Sequence, residues 1–262
     1  MPTKYSNQSG CRCDTNKGWN DFDYTMTQPI QPLLNPSRLD LDKLNQKFEN
    51  AHPKDILTWS FVNLSNGLVQ VSAFNVDDML ITDLLYRALR PAQVVPVIFL
   101  DTLHHFPETL ELVACAQELY KLDLKICQVP KVKSQAEFAA CYGDSLWERD
   151  VQQFYDITKR KPLQKELKNL KAIGWITGRC RNQAGTPGDL SIFELDGQNR
   201  LRINPLANWS RRETWAYVFE YDVIYNPLHD QGYSMIDDQP TTELLLKAKG
   251  EQLLTQDVLA CI

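Results

Sequence analysis

The residues best suited to chemistry lie in "WITGRCRNQAGTPGD", a stretch that leaves a core strand. Arg179 and Arg181 stand one residue apart on a glycine-bounded loop. Each guanidinium offers a planar fork of N–H donors, which suits a tetrahedral phosphate or sulfate. The pattern indicates a focal anion site, although a solvated loop closed by a Pro-Gly pair would give the same sequence. Its candidate residues are Gly178, Arg179, Arg181 and Gln183.

A second candidate site follows the strand that ends in "VSAFNVDD". A strand-to-helix turn directs backbone N–H groups and the positive end of a helix at one place, where an anion can bind. The glycines of a usual phosphate loop are absent, however, and Asp77 and Asp78 are ordinary first-turn helix residues. On composition alone, helix capping explains this stretch better than ligand binding.

A third candidate site is "FLDTLHHFPET", in which Asp101 and Thr102 follow a buried strand. Polar side chains at the carboxyl end of a strand face the mouth of a parallel sheet and can hold a ribose or a base edge. Asp101 also fits a simple turn. His104 and His105 suggest metal or acid–base chemistry, but no second cluster of ligands accompanies them, so we expect a positional role.

The chain carries seven cysteines, an odd number that is scattered along the sequence. This distribution argues against a disulfide framework. Cys11 and Cys13 have no His or further Cys nearby, so they make no zinc site. Cys261, in "LLTQDVLACI", has no neighbouring cation, and the terminal carboxylate raises the pKa of a nearby thiol. The local sequence therefore does not activate Cys261 as a nucleophile.

Strands and helices alternate from "GLVQVSAF" onward. The pattern predicts strand, helix, strand, helix, strand through "LKICQV", then a helix at "PLQKELKNL" and a core strand at "AIGWIT". Such alternation predicts an α/β fold with a mostly parallel sheet, helices on both faces, and ligands at the carboxyl ends of the strands. The turn "DGQN" predicts an antiparallel hairpin between "LSIFEL" and "RLRINPL".

Charge and hydropathy limit the possible function. The net charge is −5, which argues against a broad nucleic-acid surface but permits a local anion pocket. The sequence contains no run of about 18 apolar residues, which a membrane span would need. The start of the sequence also lacks the apolar core of a signal peptide. We expect a cytoplasmic protein with no nucleic-acid or membrane partner.

The sequence also divides into three parts. We expect a flexible extension over residues 1–37, one domain over 38–242, and a tail over 243–262.

Five stretches in order resemble the phosphoadenosine phosphosulfate reductase family, the sulfonucleotide reductases of sulfate assimilation. They are "FLDTLHHFPETLEL", "YGDSLWERD", "WITGRCRNQ", "INPLANWSRRETWAYV" and "YNPLHDQGY". The resemblance runs from about Leu39 to Thr242. It implies an adenine nucleotide alpha hydrolase-like fold related to the ATP pyrophosphatases, and a homodimer.

The resemblance also implies roles for particular residues. Nucleotide contacts fall on Ser72, Ala73, Phe74, Asp101 and Thr102, and phosphate or sulfate contacts on Gly178, Arg179, Arg181 and Gln183. Related adenylyl-sulfate reductases hold an iron–sulfur cluster with a Cys-Cys pair and a later Cys-x-x-Cys. The segment "FYDITKRKPL" has no cysteine where that pair would stand, which implies a cluster-free type with no metal.

The sequence departs from the family pattern in four places, one of which is "AGTPGD", where members carry a further basic residue. Cys180 stands where members usually have the middle arginine of three, and "SMIDDQPTT" replaces Ser-Ile-Gly-Asp and an Arg-rich segment. The usual Glu-Cys-Gly-Leu/Ile-His tail, whose cysteine is the nucleophile, is missing, which leaves Cys261 as the candidate nucleophile.

Two functions remain open at this point. The first is reduction of 3′-phosphoadenosine-5′-phosphosulfate, or of the nucleotide without the 3′-phosphate, with thioredoxin or glutaredoxin as the donor. The second is nucleotide binding by a relative that keeps the fold and has lost reduction. Because nothing near Cys261 lowers its pKa, we expect reductase activity to be low or absent unless Arg179 and Arg181 reach the thiol.

Overall fold

The computed structural model describes residues 34–89, 94–181 and 190–243. Six strands in this part of the chain form one sheet in the order β3-β2-β1-β4-β6-β5. The strands are β1 (Leu68–Ser72), β2 (Val97–Leu100), β3 (Leu124–Cys127), β4 (Gly174–Ile176), β5 (Phe193–Leu195) and β6 (Leu201–Ile203).

Five of these strands run parallel, and only the edge strand β5 is antiparallel to its neighbour β6. The antiparallel pair confirms the hairpin that "DGQN" predicts. The register aligns Gln70 with Val97 of β2 and with Ile176 of β4. The first strand therefore lies between β2 and β4, which makes the boundary between β1 and β4 the topological switch point where α/β proteins bind ligands.

The helices of the described ranges connect and cover these strands. They are α1 (Leu41–Phe48), α2 (Pro53–Leu64), α3 (Val76–Asp83), α4 (Pro107–Tyr120), α5 (Gln135–Tyr142), α6 (Leu146–Arg149), α7 (Val151–Tyr155), α8 (Lys161–Asn169) and α9 (Arg211–Glu220). One π-helical segment continues α3 over Leu84–Leu89, and another joins α7 to α8 over Asp156–Arg160.

Alternating residues of the sheet enter two different cores. Leu68 of β1 belongs to a large core with residues of α2, α3, α4 and α9, whereas Val69 and Val71 pack with Leu163 and Leu167 of α8. Side chains that alternate between two apolar faces are typical of a parallel sheet covered on both sides. The predicted fold class is confirmed.

The main differences from the predicted elements lie between β3 and α8. The sequence there gives no regular apolar period, yet it forms α5, α6 and α7 around a small cluster that includes Phe138, Leu146 and Phe154. At the start of the described chain, Asp40 caps α1 by accepting from the Lys43 N–H. Leu34 packs against the large core, and the predicted division at residue 37 stays a prediction.

Candidate nucleotide site at the switch point

The loops after β1 and β4 are joined by the carboxylate of Asp78, in the first turn of α3. The Ala73 N–H donates to its Oδ2 at 2.8 Å, and the Gly178 N–H donates to its Oδ1 at 3.1 Å. Burial raises the pKa of Asp78 to about 7, the two N–H donors oppose this shift, and the nearby Asp77 and Asp237 reinforce it. One buried carboxylate thus links the two strand ends where a ligand would bind.

The β1 loop presents mainly backbone to the switch point. Ser72 is buried, and its Oγ accepts from the Phe74 N–H at 3.0 Å. Phe74 has a left-handed backbone (φ 58°), and its buried ring packs edge-on against Phe99 at 5.4 Å. Ser72, Ala73 and Phe74 are all predicted nucleotide contacts. Because the side chain of Phe74 lies in the core, a contact of Phe74 with the nucleotide would have to be made by its backbone.

The loop after β2 holds its polar groups in local hydrogen bonds. Asp101 Oδ1 accepts from the Leu103 N–H at 2.8 Å, and Asp101 Oδ2 accepts from Gln128 Nε2 at 2.7 Å. Thr102 is fully buried, and its Oγ1 accepts from the His104 N–H at 3.3 Å. Both residues lie at the carboxyl end of β2, as the sequence predicts, and their contacts with a nucleotide stay a prediction.

The two histidines support this loop. His104 Nδ1 lies 2.7 Å from the Thr102 carbonyl oxygen, with its ring among Phe138, Trp147 and Phe154. His105 Nε2 lies 3.0 Å from the Leu100 carbonyl oxygen. These contacts agree with the positional role that the sequence indicates.

Arg179 points toward the edge of the sheet beyond β4. It forms an ion pair with Glu194 at 3.0 Å, and Arg202 approaches the same carboxylate at 3.3 Å. Burial lowers the pKa of Arg179, and Arg202 lowers it further, while Glu194 opposes the shift. Two guanidinium groups therefore share one carboxylate, and within the described ranges the buried Nε of Arg179 donates no hydrogen bond.

Arg181 points elsewhere. Its guanidinium pairs with Glu49 at 2.7 Å, at the end of α1, and it donates to the Leu190 carbonyl at 2.7 Å and to Asn208. Glu49 follows Phe48, whose ring meets Phe193 on one face of β5, whereas Glu194 pairs with Arg202 on the other. The two arginines thus engage different acids, and this geometry alone does not form the single anion site that their spacing predicts.

The segment 234–242 packs beside the loop after β2. Arg211 donates to Asp77 at 2.9 Å and to the Ser234 carbonyl at 2.7 Å, which joins α9, α3 and this segment. The backbone of Asp238 forms an antiparallel bridge with His105, beside the β2 loop. The segment is therefore fixed to α9 and to the β2 loop.

A buried ion cluster anchors the same segment. Lys159 Nζ lies 2.6 Å from Asp237 and 3.1 Å from Asp238, and it donates to Thr241 at 3.3 Å. Burial alone would lower the pKa of Lys159, but Asp237 and Asp238 raise it above its usual value. Burial likewise opposes the ionised form of Asp238, and Lys159 reverses that effect and lowers its pKa. These pKa shifts favour the charged forms of Lys159 and Asp238.

Sequence reasoning missed how several residues organise the site. Asp78 was assigned to helix capping, although Asn75 is the residue whose side chain caps α3. Lys159 lies in "KRKPL" and its partners lie in "SMIDDQPTT", the stretch that departs from the family pattern. Two adjacent acids shortly before a Thr-Thr pair were the available signal, whereas Lys159 lies among other charged residues and does not stand out.

Several predicted residues lie outside the described ranges. These are Gln183, Cys261, Cys11 and Cys13. In the part of the chain that the structure does describe, no group of three or more His, Cys, Asp or Glu side chains is arranged to hold a metal ion. None of the helices found there has the length and apolar character needed to cross a membrane.

The family model named phosphoadenosine phosphosulfate reductase domain matches residues 67–244. The chain belongs to this family. That span includes both switch-point loops, Lys159, and the segment 234–242. The fold is the adenine nucleotide alpha hydrolase-like fold that the family resemblance implies.

Individual members of the phosphoadenosine phosphosulfate reductase family match most of the chain. A phosphoadenosine phosphosulfate reductase of Emericella nidulans is 38% identical over 214 residues, which cover 81% of this chain and 70% of that protein. An adenosine 5′-phosphosulfate reductase of Salinibacter ruber is 38% identical over 211 residues, covering 80% and 81%. The crystal structure of the Candida auris phosphoadenylyl-sulfate reductase, a phosphate complex, matches with a TM-score of 0.70 and 34% identity over 79% of this chain and 98% of that one.

Proposed function

We propose that the protein reduces 3′-phosphoadenosine-5′-phosphosulfate to sulfite, releases adenosine 3′,5′-bisphosphate, and uses thioredoxin as the donor. The observation that carries the proposal is the family match over residues 67–244. The switch-point geometry supports it, because the loops after β1 and β4 meet at one buried carboxylate. The Salinibacter ruber relative makes the nucleotide without a 3′-phosphate the alternative substrate.

The reaction needs a thiolate nucleophile and a stabilised leaving group. A cysteine thiolate attacks the sulfur of the phosphosulfate, the bond from that sulfur to the bridging oxygen breaks, and the nucleotide leaves with the electron pair. A thioredoxin thiolate then attacks the cysteine Sγ of the S-sulfocysteine, the bond from Sγ to the sulfonate sulfur breaks, and sulfite leaves with the electron pair. The second thioredoxin thiol resolves the mixed disulfide, so thioredoxin is oxidised as the substrate is reduced.

We assign the nucleophile to Cys261, which is the cysteine that follows the matched domain. Two cysteines near the strand ends are poor alternatives. Burial raises the pKa of Cys127 to about 11, so little thiolate forms at neutral pH. Cys180 is buried in the large core. The assignment requires Arg179 to stabilise the Cys261 thiolate, because a nearby cation lowers the pKa of a thiol.

Arg179→Ala and Arg181→Ala should each weaken binding of adenosine 3′,5′-bisphosphate by about 1.5–3 kcal/mol, the usual contribution of a hydrogen bond to a charged group. Titration calorimetry measures the loss directly. Arg212→Ala is the matched control, because Arg212 is an exposed arginine at the start of α9.

The binding experiment also tests the nucleotide site as a whole. We expect micromolar or tighter binding by the parent protein, together with a raised unfolding temperature at saturating nucleotide. A double variant of Arg179 and Arg181 that binds as tightly as the parent would refute the assignment of this loop to the anion. A parent protein that neither releases heat nor gains stability would refute the nucleotide site.

A further inference from the structure

The carboxylate of Asp78 is placed to control the spacing of two loops. It is only 4% exposed, and each of its oxygens accepts a backbone N–H from a different loop: that of Ala73 after β1 and that of Gly178 after β4. Gly178 is 100 residues from Asp78 in the sequence, and Ala73 is five residues from it. The carboxylate is therefore a direct link across the switch point.

The link requires a close approach that only glycine permits. A Cβ atom on Gly178 would lie 2.5 Å from Asp78 Oδ1, 3.0 Å from the Asp78 backbone nitrogen, and 3.2 Å from Asp77 Cβ. An ionised carboxylate supplies two acceptors for two converging donors, whereas an amide supplies one acceptor and presents an N–H₂ group to the other donor. The geometry is therefore specific for a carboxylate opposite a glycine.

Asp78 is not buried as part of an ion pair, because the charged residues near it are paired with one another. Asp77 is matched by Arg211 at 2.9 Å, and Asp237 is matched by Lys159 at 2.6 Å. Within the described ranges, the hydrogen bonds that reach the Asp78 carboxylate come from backbone N–H groups. Keeping this group ionised in a buried position costs stability, and such costs are typical of groups retained for function.

We propose that Asp78 is a positioning residue for the sulfonucleotide, and that its ionised carboxylate holds the β1 and β4 loops at the separation that the nucleotide requires. The inference rests on the proposed function and deepens it, because it names the group that shapes the binding crevice without contacting the reacting atoms.

The variant Asp78→Asn separates positioning from structural support. We expect affinity for adenosine 3′,5′-bisphosphate to fall about tenfold at pH 8, since one loop N–H loses its acceptor. We expect the urea midpoint at that pH to be no lower than that of the parent, because the variant removes a buried charge. A residue that only supports the fold would lose stability and affinity together.

The pH dependence of stability gives an independent readout. The pKa of Asp78 is about 7 in the folded protein against a usual 3.8, so folding takes up a proton between these values. Its contribution to stability is therefore largest in acid and is lost as the pH rises toward 7. The stability of Asp78→Asn relative to the parent should rise over that range and then level off.

Two further variants complete the test. Gly178→Ala disturbs the same link from the β4 loop, so its affinity should also fall about tenfold, the effect expected from one lost hydrogen bond. Asp55→Asn makes the same carboxylate-to-amide change at an exposed position in the first turn of α2, and its affinity should match that of the parent.

The possible outcomes are distinct. Unchanged nucleotide affinity in Asp78→Asn or in Gly178→Ala would overturn the inference. So would a variant Asp78→Asn that unfolds or that loses stability at pH 8, because the residue would then be structural. A parent protein that binds no nucleotide would instead refute the proposed function, and this inference with it.

Discussion

The variant Lys159→Met is expected to lower the free energy of unfolding by about 3–5 kcal/mol, the usual cost of removing one partner from a buried ion cluster. Lys159 is only 4% exposed, and methionine fills similar volume without the charge. Asp237 and Asp238, which are 7% and 0% exposed, would then be buried without a cation. Urea unfolding at pH 7 measures the loss.

The control is Lys161→Met, two residues along the chain, where the side chain is exposed. We expect that change to stay within about 0.5 kcal/mol of the parent. Lowering the pH should also weaken the cluster, because the depressed pKa of Asp238 means that its contribution is present above its usual 3.8 and is lost as the pH falls. A loss below about 1 kcal/mol in Lys159→Met would contradict the cluster's structural role.

The variant Asp83→Asn should cost about 3 kcal/mol, since it breaks a buried, charge-assisted network. Asp83 pairs with Arg87 through both oxygens, with Arg87 Nε 2.7 Å from Oδ1 and Nη2 2.8 Å from Oδ2. The hydroxyl groups of Tyr120 and Tyr217 donate to it at 3.0 Å and 2.8 Å. An amide in this position would turn one acceptor into a donor and leave these groups unsatisfied.

The chain offers a matched control for this prediction. Asp156 and Arg160 form the same i,i+4 pair at 2.6 Å, but the two side chains are 45% and 37% exposed. Asp156→Asn should therefore cost no more than about 0.5 kcal/mol. Thermal and urea unfolding of the two variants side by side test the difference, and equal losses would show that burial does not set the strength of the Asp83 network.

Local sequence patterns predicted most of the fold. The apolar runs around Val69, Ile98 and Ile176 form parallel strands, and "PLQKELKNL" forms most of α8 (Lys161–Asn169). These elements follow from local patterns of hydrophobicity and turn residues, which act over a few positions. Helices α5 to α7 were not predicted because their apolar residues pack into a separate small cluster and show no regular spacing.

The arrangement of the site was less predictable, because it depends on long-range contacts. Lys159 meets Asp237 across 78 residues, and Asp78 meets Gly178 across 100. No local period encodes such pairs. Arg179 and Arg181 show that a local pattern can also mislead, because their spacing suggested a shared ligand. In the structure the Arg181 N–H donates to the Ala207 carbonyl, and the Arg181 side chain turns toward Glu49.

The most direct test of the proposed function combines a product assay with mass spectrometry. The purified protein is incubated with 3′-phosphoadenosine-5′-phosphosulfate, first without reductant and then with reduced thioredoxin. We predict an adduct of about 80 Da on Cys261, as thiolate attack on sulfur would leave, followed by slow sulfite release that requires thioredoxin. The variant Cys261→Ser should give neither. Clear binding of adenosine 3′,5′-bisphosphate with no adduct on any cysteine and no sulfite would contradict reduction and would leave a nucleotide-binding protein.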